Sequence, residues 1–363
     1  MAERAGAEGV VTADLRVALV GYGLAGRVFH GPLVTAAPGL ALTHVVTSNP
    51  ERAAQAAAAH PGVTLLGTAD ELFDRDDWAL LVVATPNDAH LPLGLRAVAA
   101  GRPVVVDKPL ALTAADARRL VEAAADAAVP LTVFQNRRWD SDQLTLRRLL
   151  ADGELGDVLR YESRFERWRP EPKPGSWREA LPAEQGGGLA LDLGSHLVDQ
   201  ALHLFGPAVR VYAEVDARRG IADDDVFVAL EHASGVRSQL WMGALAGAPG
   251  PRLRVLGTGG AFVVDGLDGQ EDALSAGARP ADDTWGVEPR QRWGRLVRGE
   301  ESEPVPAERG RWDTFYPAVA AAVRGEGPVP VDPWDAVRTL TVIEAARASA
   351  ASRQVVEPPE VSR

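Results

Sequence analysis

Only two of the 38 Lys and Arg residues in this chain are lysines, Lys108 and Lys173. Lys108 ends the apolar run VVVDKP (104–109). If that run is a parallel strand, Lys108 sits at the strand's carboxyl end, where doubly wound domains bind ligands. A guanidinium cannot replace a lysine that must point a compact ammonium at one substrate oxygen. Pro109 biases Lys108 toward an extended backbone. A solvated strand end is the plainer alternative; Lys173, in the Pro-rich loop EPKPG, reads as only solvated.

A second group lies in GGGLALDLGSHLVDQALHLFG (186–206), where Asp192, His196, Asp199 and His203 recur at helical steps among leucines. On one helix they would form a single polar stripe. Buried polar groups need partners or a function. Three uses are open: satisfied structural groups, a metal shared by Asp192 and His196, or His196 as a general acid/base beside Asp192. No H-E-x-x-H or comparable ligand spacing is present, so metal is the weakest of the three.

The third group is glycine. LRVALV (15–20) runs into GYGLAG, so Gly21, Gly23 and Gly26 match G-x-G-x-x-G after a strand and before a helix. The first glycine makes the turn, the second lets a pyrophosphate approach, and the third lets helix and strand pack closely. A plain turn is the alternative. Tyr22, Leu24 and Ala25 complete the loop, and Pro32 should kink or shorten the helix that follows. GTGGAF (257–262) is equally Gly-rich but has strand-like residues on both sides, so it reads as a hairpin turn. An NAD-binding acid is expected about 20 residues after the glycines. The second strand instead ends Thr47, Ser48, Asn49, with Arg52 following. Hydroxyls and a guanidinium suit a 2′-phosphate, so NADP is preferred over NAD. Ser48 and Asn49 can also cap the next helix, and both roles can hold together.

These groups need a scaffold, and the apolar pattern predicts one. Strands near 15–21, 42–48, 79–85, 103–108 and 130–135 alternate with Ala-rich helical runs. Near-continuous Val/Leu strands between helices predict a doubly wound parallel sheet over 15–135. Beyond Gln135 several strand candidates follow one another without helices, which predicts an α+β domain with a large, mostly antiparallel sheet over 136–332. Residues 266–311 are rich in Gly, Pro and charge and show no clear periodicity. A helix over 333–355 should pack back toward the first domain, with 356–363 as a tail. Residues 1–14 have no apolar core and are expected to be a disordered lead-in, not a signal peptide.

The 363 residues carry no cysteine and a formal net charge of −12. Disulfides and thiol chemistry are excluded. Nucleic acid and anionic membranes need a basic patch and are not expected partners. No 18-residue apolar run is present, and a cytoplasmic protein is expected.

VALVGYGLAG, VVATPNDAHLPLGLRAVAAGRPVVVDKPLALT, the 186–206 segment and the closing FYPAVAAAVRGEGPVPVDPWDAVRTLTVIEAARAS together resemble the glucose–fructose oxidoreductase / inositol dehydrogenase / MocA (Gfo/Idh/MocA) family, over about residues 15–355. The resemblance implies an NAD(P)-dependent dehydrogenase acting on a cyclic polyol or sugar, closest to NADP-dependent scyllo-inositol dehydrogenases. It places the family's E-K-P motif on Asp107, Lys108 and Pro109, with the acid one methylene shorter. It places the catalytic Asp and His on Asp192 and His196. Thr85, Pro86, Asn87 and His90 match the segment along the nicotinamide. Gln135, Asn136, Arg137, Trp177 and Arg178 are expected sugar contacts or structural hydrogen bonds at the domain junction. The family's second sheet implies a homodimer or homotetramer. Two other functions fit less well: a glycoside hydrolase of the same family with no net redox change, and a non-catalytic cofactor-binding regulator.

Overall fold

A computed structural model describes residues 14–362. The expected lead-in therefore lies almost wholly outside the described residues. Six strands build the first sheet: β1 (Leu15–Val20), β2 (Leu40–Val46), β3 (Thr64–Leu66), β4 (Leu80–Val83), β5 (Val104–Asp107) and β6 (Leu131–Phe134). Their order is β3-β2-β1-β4-β5-β6 and every pairing is parallel. Strands β4, β5 and β6 are buried at every residue, as a sheet covered on both faces requires. β3 was not expected. It is a three-residue edge strand, too short for its pattern to stand out.

The order reverses between β1 and β4, and their carboxyl ends flank a crevice. Gly21 makes the turn after β1 at φ +96°, and a Cβ there would lie 2.4 Å from the Ala84 carbonyl oxygen. The next segment begins as a π-helix, Ala25–His30, in which the Gly31 amide bonds Gly26 O. An α-helical turn, Gly31–Ala36, carries Pro32 in its first positions. The effect expected of Pro32 is thus a short helix whose first half is π-wound.

The second sheet has eight strands: β7 (Val158–Glu166), β8 (Ala208–Asp216), β9 (Asp225–His232), β10 (Arg237–Gly243), β11 (Leu253–Gly257), β12 (Gly260–Val264), β13 (Arg295–Arg298) and β14 (Glu301–Pro304). Their order is β14-β13-β12-β11-β7-β10-β9-β8, antiparallel except for β7 with β10. The 257–262 glycines form the β11–β12 hairpin, as read from the sequence. The unpatterned stretch 266–311 holds β13, β14 and a short helix, Gln270–Ser275.

The expected single helix at 186–206 is two, Leu189–Asp192 and Gly194–Phe205, separated at Leu193. The polar stripe therefore divides. Asp192 ends the first helix and His196 lies in the first turn of the second. Asp199 is locked in a two-point ion pair with Arg138 at 2.6 and 2.8 Å, and His203 is exposed. Two apolar clusters form the cores, one around the first sheet and one beneath the second. Trp312, Phe315 and Tyr316, far along the chain, are buried in the first cluster. The long helix Pro333–Ser352 contributes Val337 and Leu340 to the first cluster and Val342 and Ile343 to the second. Its two sides thus join the two halves of the molecule.

Candidate active site and its relatives

The site begins at the end of β5. Asp107 closes the strand, accepts the Lys108 amide through Oδ1 at 2.8 Å, and faces His30 Nε2 at 3.8 Å. Burial pushes the Asp107 carboxyl up, but His30 and the Lys108 ammonium outweigh it and hold the group below its ordinary value. His30 is itself held by the Tyr316 hydroxyl at 2.6 Å. The Lys108–Pro109 peptide is cis. His90 Nδ1 donates to the Pro109 carbonyl at 2.7 Å, and its Nε2 lies 3.1 Å from Thr85 O. Thus one buried ring ties the end of β4 to the turn that presents Lys108.

Lys108 Nζ reaches across to the 189–192 helix. It donates to Asp192 O at 2.7 Å and Asp192 Oδ1 at 2.8 Å, while Arg178 Nε lies 3.3 Å from the same Oδ1. Burial pushes the Asp192 carboxyl up; Lys108 and Arg178 outweigh this and hold it at about 2. Asp192 is therefore a carboxylate at every working pH.

His196 is buried, with its ring edge on Phe165. Gln135 Nε2 donates to the Ser195 carbonyl at 3.2 Å, which turns Gln135 Oε1 toward His196 Nδ1, also at 3.2 Å. An amide oxygen can only accept, so Nδ1 carries the proton and Nε2 keeps the lone pair. Burial first, then the Lys108, Arg137 and Arg252 cations, hold His196 well below the ordinary histidine value. The ring is a neutral proton acceptor.

Lys108, Asp192 and His196 share the wall of a cavity of about 430 Å³. Leu24, Ala25 and Phe29 line it from the glycine-loop side, and Asn136, Phe165 and Arg178 from the second domain. Of the expected sugar contacts, Asn136, Arg137 and Arg178 border this space; Arg137 is also paired with Asp140 and Glu271. Gln135 does not border it: its amide is spent on His196 and Ser195. Trp177 does not line it either, and its ring carries the Arg178 guanidinium 4.4 Å above it. Lys173, read as solvated, is exposed and stands at the rim.

The glycine loop fits a dinucleotide. A Cβ on Gly23 would meet only Arg52 Nη1, at 3.9 Å, so the backbone there is open to an approaching pyrophosphate and a guanidinium stands beside it. Among the described residues Thr85 Oγ1 is buried without a partner at the facing strand end. Asn49 caps the helix Pro50–Ala59 by accepting the Arg52 amide, Thr47 Oγ1 accepts the Asn49 amide at 3.4 Å, and Ser48 is exposed. The Tyr22 ring is buried against His60, and the His90 side chain is fully buried. Asn87 donates to Gly186 O at 3.2 Å, pinning the 169–188 loop to the first domain, and Pro86 is exposed beside it. Among the described residues no cluster of three or more His, Asp or Glu could hold a metal, and no helix is long and apolar enough to cross a membrane.

Sequence reasoning passed over the His30–Tyr316 support and Arg167. The signal for Arg167 was strand alternation. Tyr161, Ser163 and Phe165 point inward from β7, so the next inward position is Arg167.

The chain has relatives over most of its length. The chain is 34% identical to the scyllo-inositol 2-dehydrogenase (NADP(+)) IolW of Bacillus subtilis, over 94% of this chain and 95% of that one. It is 39% identical to the Escherichia coli oxidoreductase YdgJ, over 94% and 97%. It is 31% identical to an inositol 2-dehydrogenase of Saccharopolyspora erythraea, over 61% and 64%. Among solved structures, the Bacillus subtilis oxidoreductase YvaA superposes with a TM-score of 0.89 at 33% identity, covering 96% of this chain and 99% of that one. The family model for the oxidoreductase NAD-binding Rossmann fold matches residues 15–135, and its C-terminal alpha/beta domain model matches 147–357. With both halves matched in order, and with a Rossmann crevice opening beside Lys108, the chain belongs to the Gfo/Idh/MocA family of NAD(P)-binding oxidoreductases.

Proposed function

We propose that the protein moves a hydride between a nicotinamide dinucleotide, NADP in preference to NAD, and a secondary hydroxyl or ketone of a cyclic polyol or sugar such as an inositol. The observation that carries this reading is the meeting of Lys108, Asp192 and His196 on one cavity wall beside the glycine loop. The dinucleotide, when bound, supplies the hydride acceptor for oxidation and the donor for reduction. Gly21, Gly23 and Gly26 would hold its pyrophosphate, with Thr85 at the strand end opposite. Lys108 donates a hydrogen bond to the reacting oxygen. In oxidation His196 Nε2 takes the hydroxyl proton; in reduction it returns it. Asp192 anchors Lys108 and accepts from a neighbouring hydroxyl. Gln135 keeps the proton on Nδ1, so Nε2 is always the reacting nitrogen. The half-buried outer face of the second sheet, with Phe227 against Trp241, would join copies into a homodimer or homotetramer.

The test is a titration with NADPH and NADH, followed by assays on inositols and their ketones. NADPH should bind the tighter. Arg52→Ala should cost NADPH about tenfold, the worth of one charge-assisted hydrogen bond, and leave NADH unchanged. Equal losses for both cofactors would refute the 2′-phosphate assignment. Sugar release from a glycoside without cofactor turnover would replace the dehydrogenase with a hydrolase.

A pH profile probes His196. Its folded value is depressed from 6.5, so it gains a proton only well on the acid side. The acid limb of kcat/KM for oxidation is therefore expected below pH 6.5, and a limb at or above that pH contradicts a His196 base. The unfolded chain takes up this proton first. The stability gained from the neutral ring is thus present above pH 6.5 and declines as pH falls.

A further inference from the structure

Arg167 is a cation on the cavity wall that the mechanism does not use. It follows the last residue of β7 and lines the same space as Lys108 and His196. Its backbone is fixed, because the amide donates to Gly243 O and the carbonyl accepts from Ala246. Among the described residues its guanidinium makes no hydrogen bond or ion pair, and its Nε is buried without a partner. A half-buried cation of this kind is costly unless it meets an anion.

The carboxylates nearby are already engaged. Glu179 holds Arg169 at 3.3 Å and Arg219 at 3.2 Å. Asp192 holds Lys108 at 2.8 Å and Arg178 at 3.3 Å. Glu166 faces Arg164 at 3.7 Å. Each of the two carboxylates closest to Arg167 in charge already serves two cations. Lys173, at the rim, adds a further positive charge whose ammonium has no partner among the described residues. Burial opposes the charged form of Arg167 most, followed by Arg169, while Asp192 and Glu179 favour it and only partly offset the loss. What Arg167 lacks, among the described residues, is a carboxylate within ion-pair distance of its guanidinium.

We propose that Arg167 is a specificity-determining residue for an anionic substituent of the substrate, so that the preferred ring is a polyhydroxylated one that also bears a carboxylate. This rests on the dehydrogenase reading and narrows its substrate class. A carboxylate offers two coplanar oxygens to the guanidinium fork, a match that a lone hydroxyl cannot make. The reacting carbon stays with Lys108 and His196, while Arg167 holds the acidic end and sets which ring carbon is presented.

Calorimetric titration of the NADP-saturated full chain with two matched pairs, glucuronate against glucose and galacturonate against galactose, tests this. At constant ionic strength at least one acid should bind about 10- to 100-fold tighter than its neutral partner. Arg167→Gln should bring that ratio near one and leave NADP affinity unchanged; Arg167→Lys should restore part of it. Equal or tighter binding of the neutral sugars, no binding of either acid, or an acid preference that survives Arg167→Gln would overturn the proposal. Intact NADP binding with any of those outcomes leaves the dehydrogenase standing. Absence of nicotinamide binding removes the dehydrogenase and this proposal together.

Discussion

Lys108→Ala is expected to lower kcat/KM for polyol oxidation by about 10²–10⁴-fold, the range for removing a positioned proton-transfer or oxyanion-stabilising group. Nicotinamide affinity should change little, because the glycine loop does not depend on this side chain. The protein should also fold. Asp192 keeps Arg178 at 3.3 Å when the ammonium is gone, so no buried carboxylate is abandoned. Lys108→Arg should be nearly as inactive. A planar guanidinium in the same place cannot hold Asp192 and also present one compact donor to a substrate oxygen. Steady-state kinetics with a cofactor titration on each variant checks both halves. Wild-type turnover by Lys108→Ala would remove the lysine from the mechanism.

Gly26→Ala and Gly23→Ala should separate folding from binding. A Cβ on Gly26 would lie 2.0 Å from the Gly21 carbonyl oxygen and 3.0 Å from its carbon, both backbone atoms that cannot swing aside. The π-wound start of the helix would have to shift away from β1. Overpacking of this kind costs about 1–3 kcal/mol or more, and the melting temperature should fall accordingly. At Gly23 the same methyl meets only Arg52 Nη1 at 3.9 Å, so the apoprotein should melt as wild type does. Yet that methyl would stand where the pyrophosphate approaches, and nicotinamide affinity should drop by about tenfold or more. Thermal melts with and without NADPH measure both. A Gly23→Ala protein that binds NADPH normally would show that the dinucleotide takes another path.

Much of the scaffold was legible because its signals are local. The β1–glycine–helix unit, the buried Val/Leu strands and the 257–262 hairpin each depend on residues within a few positions of one another. β3 escaped because three residues at a sheet edge carry too little pattern. Strands β13 and β14 lie in a stretch where charge and glycine hide the alternation. The 186–206 helix was read as continuous because its periodicity does not break. The interruption at Leu193 is slight: the residue keeps a right-handed helical backbone, and its carbonyl still accepts the Leu197 amide.

Sequence alone determined the doubly wound domain, the glycine loop and the candidacy of Lys108, Asp192 and His196, because strand ends and helical spacing announce those positions. Tertiary structure decided which polar residues face the cavity. It sent Asp199 to Arg138, turned Gln135 onto His196, set His30 behind Asp107 with Tyr316 in support, and left Arg167 without an ion pair among the described residues. Each of those outcomes depends on partners brought together from distant parts of the chain. A side chain's charge and hydrogen bonds are settled by what the fold places against it, and strand order and helix packing set those neighbours.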